Sequence, residues 1–394
     1  MRNFRQILGS GSLIYFDNSA TTAAAPEVLA TYQKVSEDFW GNPSSLHALG
    51  NKADGLLQAS RQQIADLMQV QPEEIYFTSG GTEGDNWVIK GTAIAKRQFG
   101  KHLITTAIEH PAVKNSMAQL EQLGFDVTYL PVNRQGMIDP ADLKAALRSD
   151  TILVSIMGVN NEIGSIQPLA EAAQILADYP NVHFHVDAVQ SIGKGLMDLL
   201  KLPRIDFLSF SAHKFHGPRG MGFLYAKKGR QLAPLLTGGG QEHDWRSGTE
   251  NLPAIAGMAK ALRLVLADES AKVVRQQAIK TKIYNHLQER PKVTIFSGND
   301  AHFAPHILCF GIAGVRGETV VHAFEAHDIY ISTTSACSSK TGEISGTLAA
   351  MHVPDKVATS AVRISLDENN TLAEADTFIK AFDQIYQRFE IINS

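Results

Sequence analysis

Ile75-Tyr76-Phe77-Thr78-Ser79-Gly80-Gly81-Thr82-Glu83 is an apolar run that stops at two glycines and resumes as a helical pattern. Its first three residues form a continuous apolar run of strand formers, the mark of a strand covered on both faces. The pattern predicts a strand over 75–77 and a helix over 82–97. Outward from there the same cadence recurs. Residues 102–106, 126–129, 151–157, 182–186, 206–210 and 221–225 read as six more strands, with helical stretches such as 168–177 between most of them. Strand, helix, strand repetition points to an α/β fold with a mostly parallel seven-stranded sheet.

Past Asn251 the texture changes. Residues 253–290 read as one long helix, with Pro253 in its first turn. Strand-like 292–296 and 306–311, a helix near 318–326 and strand-like 329–333 follow. A Ser/Gly/Thr-rich stretch over 335–347, a strand over 362–366 and a helix over 372–389 complete the chain. The expected organisation is a large domain over 15–255 and a smaller α+β domain made of 1–14 and 256–394.

Bulk properties limit the function. Of 394 residues 44% are hydrophobic and 19% charged, a globular composition. Lys plus Arg number 36 against 40 Asp plus Glu, so a chain built for direct nucleic-acid or anionic-membrane binding is not expected. The longest apolar runs are far too short to span a bilayer. Residues 1–13 carry two arginines but no apolar core, so export is not expected. Cys309 and Cys337 are the only cysteines, too few for a disulfide framework, and a reducing cytoplasm suits them.

Four segments carry chemistry. In 78–83 the glycines permit close approach to an anion, and a helix start offers N–H groups to it, although many ordinary strand–helix turns look alike. Asp187 ends the strand-like His183-Phe184-His185-Val186. It is either a helix cap or a partner for a cationic ring nitrogen. His183, His185 and Asp187 share a strand face, but strand histidines are more often satisfied core residues than metal ligands, and no metal is expected. Lys214, in Ser211-Ala212-His213-Lys214, follows an apolar strand, where desolvation and nearby positive charge would free its amine for covalent catalysis. A lone turn lysine would be unremarkable. Cys337 sits among small polar residues beside Lys340, a setting for a reactive thiolate, whereas Cys309 lies in the apolar Ile307-Leu308-Cys309-Phe310 and reads as core.

Taken together the motifs resemble the cysteine desulfurases (NifS/IscS-like), within the class V aminotransferase group of pyridoxal 5'-phosphate (PLP) enzymes of fold type I. The resemblance runs from about Tyr15 to the C-terminal helix. It is carried by 15–22, Gly41-Asn42-Pro43-Ser44-Ser45-Leu46-His47, 77–86, Glu109-His110, Asn160-Asn161-Glu162-Ile163-Gly164, 185–190, 211–217, Arg246-Ser247-Gly248-Thr249-Glu250-Asn251, Ser335-Ala336-Cys337 and Val362-Arg363-Ile364-Ser365. It implies that Lys214 holds PLP covalently and moves the substrate α-proton. It also implies that Asp187 faces the ring nitrogen, His110 stacks on the ring and shuttles protons, and Gln190 bonds the phenolic oxygen. Gly81, Thr82, Ser211 and His213 would bind the phosphate, with Thr249 supplied from the other subunit of a homodimer. Asn161 and Arg363 would bind the substrate, L-cysteine. Cys337 would receive the sulfur as a persulfide and pass it to an acceptor protein for iron–sulfur assembly or for tRNA or cofactor thiolation.

The chain departs from the pattern at His243-Asp244-Trp245, where relatives carry basic or small residues. It also ends soon after 372–389, where housekeeping members have a longer tail that docks a scaffold. The stretch after Cys337 is closer to the long-loop group. The alternatives are a selenocysteine lyase or another class V transaminase, and, further off, a PLP-fold interaction module without activity.

Overall fold

The computed structural model describes residues 13–334 and 345–392. It divides into two compact units. The larger comprises Thr21–Asn160 and Ile166–Ser270, and the smaller falls within 1–20, 161–165 and 271–394. The divisions differ from 15–255 against 1–14 and 256–394, and the physical reason is a break in the expected long helix. Over 253–290 there are two helices, Leu252–Leu266 and Glu269–Gln288. Between them Asp268 takes φ 52°, a left-handed conformation that Asp tolerates and a helix cannot.

In chain order the smaller unit supplies β1 (Ile14–Tyr15), and the larger unit then begins with α1 (Pro26–Asp38) and α2 (Ala48–Met68). Next come β2 (Ile75–Thr78), α3 (Gly81–Lys96), β3 (His102–Thr106), α4 (Pro111–Gln122), β4 (Asp126–Leu130), α5 (Pro140–Ala146) and β5 (Thr151–Ser155). The run closes with α6 (Leu169–Ala177), β6 (His183–Asp187), α7 (Met197–Leu200), β7 (Phe207–Ser211), β8 (Gly222–Ala226) and α8 (Leu252–Leu266). The seven strands β2 to β8 make one sheet in the order β2-β8-β7-β6-β5-β3-β4. Only β8 runs against its neighbours. Every strand expected in this part of the sequence is present, with ends displaced by at most two residues.

Gly222 opens β8 where two backbones converge. A Cβ there would lie 2.3 Å from Phe210 O and 2.7 Å from Gly80 Cα. The departure at 243–245 also has a physical account. Trp245 stacks on Tyr76 at 4.8 Å and 12°, with Trp87 edge-on at 6.2 Å, so it extends the apolar cluster on one face of the sheet. Beside it, Glu242 takes both guanidinium nitrogens of buried Arg61 at 2.6 and 2.9 Å and the Phe77 amide at 2.9 Å.

The smaller unit continues with α9 (Glu269–Gln288), β9 (Val293–Ile295), β10 (Ile307–Ile312), α10 (Gly317–Glu325), β11 (Ile329–Tyr330), β12 (Ser332–Thr333), α11 (Gly346–Ala350), α12 (Asp355–Ala358), β13 (Ala361–Ser365) and α13 (Leu372–Ile392). Its sheet is antiparallel, β12-β13-β10-β9. The strand expected over 329–333 is two strands, because β11 pairs with β1 while β12 pairs with β13. Phe16, Phe310, Phe324, Phe378 and Phe382 fill the core, with Phe324 stacked on Phe378 at 4.6 Å. Cys309 on β10 is fully buried, as its apolar surroundings predict.

Candidate active site

In an open sheet of this kind, ligands bind beyond the carboxyl ends of the parallel strands. Thr78, Asp187 and Ser211 are those ends of β2, β6 and β7. Directly after Ser211 the chain makes one short turn, Ala212–Lys214, that carries the lysine. Two threonines near the start of the larger unit fasten that turn. Thr22 donates its amide and its Oγ1 to His213 O, each at 2.8 Å, and its Oγ1 accepts from His216 N at 2.8 Å. Thr21 Oγ1 meets His213 Nδ1 at 3.1 Å. Burial, with the charges of Lys214 and Arg219, pushes His213 down to about 4, so it is neutral near pH 7.

The glycine turn lies against the same strand end. Gly80 has φ 151°, a conformation that favours glycine. A Cβ on Gly80 would be 3.4 Å from Ser211 Oγ, and one on Gly81 would be 2.5 Å from Val189 Cγ2. The cradle therefore touches both Ser211 and the residue two past Asp187. The first N–H groups of α3 have no intrahelical acceptor, which suits an anion. Glu83 in that first turn accepts from Ser79 N at 2.9 Å and binds Arg246 at 2.7 and 3.0 Å. Burial raises its carboxyl, but Arg246 and Ser79 outweigh burial and hold it below the ordinary value.

Behind the cradle is a cluster of acids. Ligand atoms of Asp85, His110 and Asp187 all lie within 4.8 Å of one another. Asp187 is 6% exposed, and its Oδ1 accepts from Val189 N at 3.0 Å. Burial raises its carboxyl, while His110, the Val189 amide and Lys214 pull the other way. Burial first, and then the neighbouring Asp187 charge, push the Asp85 carboxyl well above its ordinary value against an opposing Ser209 hydrogen bond, and the net shift of Asp187 is upward as well. Asp85 Oδ1 has no hydrogen-bond partner among the described residues. His110 caps α4, its Nδ1 accepting from Ala112 N at 3.1 Å, which leaves the ring proton on Nε2. Burial lowers its pKa and Asp187 only partly restores it, so the imidazole is neutral.

His183 and His185 are satisfied core residues. His185 contacts Ser155 Oγ at 2.8 Å and Ser209 Oγ at 2.9 Å, and His183 contacts Thr92 Oγ1 at 3.0 Å. Burial pushes His185 down to about 3 and, with Lys96 and two arginines, His183 to about 2.

The larger unit therefore brings Gly81, Ser211 and Asp187 together with His110, and the charge of Lys214 acts on both His110 and Asp187. Gln190 is buried three residues past Asp187. Thr82 is exposed on α3, and Thr249 is exposed in the segment that Arg246 anchors. Asn161 and Arg363 belong to the smaller unit, where Arg363 Nη1 donates to Asn161 O at 2.8 Å. Cys337 and most of the stretch after it lie outside the described residues.

Sequence reasoning missed Asp85, the burial of Glu109, and the clamp by Thr21 and Thr22. Asp85 did leave a signal, since it falls at helical spacing with buried Gly81 and Val88 on the inner face of α3. The clamp left none, because its partners are about 190 residues away.

The residues fit PLP. Among the described residues Asp187 forms no ion pair although fully enclosed, and a protonated ring nitrogen is the cation that would match it. A helix start with a glycine cradle and Ser211 would match a phosphate.

The model of the aminotransferase class-V family matches residues 14–378. A protein of Lactobacillus delbrueckii subsp. bulgaricus described as a NifS/IcsS protein homolog is 63% identical, with 97% of this chain and 99% of that protein covered. The cysteine desulfurase IscS of Methanosarcina thermophila is 42% identical over 95% of this chain and 92% of its own length. A solved NifS-like protein superposes with a TM-score of 0.88 at 36% identity, over 95% of this chain and all of that one.

Proposed function

The chain belongs to the class-V aminotransferase family, among its NifS/IscS-like cysteine desulfurases, and from that membership we propose the following chemistry for its residues. The protein is a PLP-dependent cysteine desulfurase that converts L-cysteine to L-alanine and keeps the sulfur on Cys337. The observation that supports the site is the buried Asp187 carboxylate, which forms no ion pair among the described residues, together with the Lys214 turn and the glycine cradle.

When bound, PLP supplies the electron sink for charge developing at the substrate Cα. Lys214 would hold the cofactor through Nζ, and the same nitrogen is the base that would take the substrate's α-proton. Asp187 would pair its carboxylate with the ring nitrogen, beside Asp85, whose carboxyl burial raises. Neutral His110, with its proton on Nε2, would stack on the ring and serve in proton transfer. Gln190 would bond the phenolic oxygen. Gly81, Thr82, Ser211 and His213 would hold the phosphate, joined by Thr249 of a second copy. Arg363 and Asn161 hold the substrate carboxylate. The Cys337 thiolate attacks the substrate sulfur. An S–S bond forms as the Cβ–S bond breaks; the electron pair of that bond stays with the substrate's Cβ, which takes up a proton, so a persulfide remains on the enzyme and L-alanine is the product.

A homodimer suits the exposed apolar side chains Leu29, Tyr32, Trp40, Leu46 and Leu49, grouped within 21 residues of α1, α2 and their connection. The persulfide would go to an acceptor protein in iron–sulfur assembly or in tRNA or cofactor thiolation. A reducing cytoplasm would keep Cys337 a thiol. Among the described residues no helix is long and apolar enough to cross a membrane.

The test is L-alanine release from L-cysteine with no oxo acid added, in wild type and Cys337→Ala. Wild type should release alanine. The variant should keep the yellow cofactor band and form no persulfide. Dependence on an added oxo acid would instead identify a transaminase.

A further inference from the structure

Arg363 is more constrained than a simple substrate clamp requires. Its side chain is 3% exposed, on β13 opposite Cys309 of β10 and Ser332 of β12. Nη2 donates to Asp17 Oδ1 at 2.8 Å, and Nη1 donates to Asn161 O at 2.8 Å. Nε is buried and meets no acceptor among the described residues. Among those residues Asp17 is the one acid that forms an ion pair with it.

Asp17 does not reach Arg363 from a loose rim. Its backbone bridges Ser365 at the end of the same strand. Ser365 N donates to Phe16 O at 2.7 Å, Asn18 N to Ser365 O at 3.2 Å, and Ser19 N to Ser365 Oγ at 2.8 Å. The carboxylate is thus carried on a hydrogen-bonded ladder two residues from the guanidinium. The other contact is equally fixed. Segment 161–165 is tied down by Ser297 Oγ on Ile163 O at 2.6 Å and Ala304 N on Gly164 O at 2.7 Å.

Two consequences follow. A buried guanidinium without a counter-charge is costly, and Asp17 removes that cost while no substrate is bound. Two acceptors on different nitrogens also fix the plane of the group, and a planar donor fork recognises a carboxylate only when its plane is set. We propose that Asp17 is a positioning residue for substrate recognition: by holding Arg363 Nη2 it presets the guanidinium for a carboxylate-bearing amine and gives no advantage to a bare amine. This rests on Arg363 being the carboxylate clamp, and the experiment separates the two.

The probes are L-alanine and ethylamine, which differ only by the carboxylate. Their dissociation constants are read on the holoenzyme from the change in the cofactor's visible absorbance. Asp17→Ala should weaken L-alanine on the order of tenfold, the size of one charged hydrogen bond, and leave ethylamine within about twofold. Asp17→Asn, whose amide oxygen can still accept from Nη2, should recover most of the loss. Where Asp17→Ala does not fold, Asp17→Ser keeps a polar group on the ladder, is too short to reach Nη2, and should show the same carboxylate-specific loss. Equal weakening of both probes, no weakening of either, or an Asn variant as weak as Ala would overturn the proposal. Arg363→Ala should abolish the preference for L-alanine. If that preference survives, the clamp reading itself fails, whatever Asp17 does.

Discussion

Glu109→Gln should make stability less sensitive to pH, and the size of the effect can be worked from the site. Glu109 Oε1 accepts from Thr106 Oγ1 at 2.8 Å and Met157 N at 2.9 Å, while Oε2 is buried without a partner among the described residues. Burial pushes its carboxyl up to about 8; the two hydrogen bonds oppose that and the Asp187 charge adds to it. Unfolded, the group would ionise near 4.5. Between those values the folded chain holds a proton that the unfolded chain has lost, so stability falls as pH rises. The contribution is fully present below about pH 4.5 and fully lost above about pH 8, a change on the order of 4–5 kcal/mol. Glutamine cannot ionise. Its unpaired amide adds a constant penalty, so the variant can start less stable at pH 5, yet it should gain steadily on wild type toward pH 9. Thermal midpoints of both holoproteins across that range give the difference, and other titrating groups cancel. A wild-type-minus-variant difference that stays flat from pH 5 to 9 would refute a protonated Glu109.

Three further outcomes are expected. Gly222→Ala places a methyl 2.3 Å from Phe210 O and 2.7 Å from Gly80 Cα, backbone atoms that no rotamer change relieves. It should cost about 1–3 kcal/mol in stability and weaken PLP more than pyridoxal, which lacks the phosphate, in binding titrations. Glu242→Ala strands the buried Arg61 charge, for a loss of about 3–5 kcal/mol in denaturant unfolding; a loss under about 1 kcal/mol would contradict the burial of the pair. Cys309 is fully buried, and burial with the Glu162 charge drives its thiol well up despite Arg363. Alkylation of the native protein should therefore leave Cys309 unmodified until the chain unfolds, as peptide mapping would record.

Local chemistry made much of this molecule legible. Short runs of strand formers such as 151–157 point to strands covered on both faces, and the glycines at 80 and 81 point to a turn into a helix, because side-chain pattern and backbone freedom are local properties. Lys214 and Asp187 could be singled out because each directly follows or ends such a run. The break at Asp268 was not legible, since φ 52° is tolerated by Asp rather than demanded by it. Nor was the split of 329–333, which depends on β1 and β13, strands more than 300 residues apart.

What the sequence determined by itself was the order of elements and the identity of the reactive side chains. Only tertiary structure decided their states. The Asp85 carboxyl is raised by its burial and by Asp187 folded against it, the Lys214 turn is fixed by threonines at the other end of the unit, and Arg363 is oriented by Asp17, 346 residues away. Charge, desolvation and orientation are set by neighbours in space, and the linear order of residues does not name those neighbours.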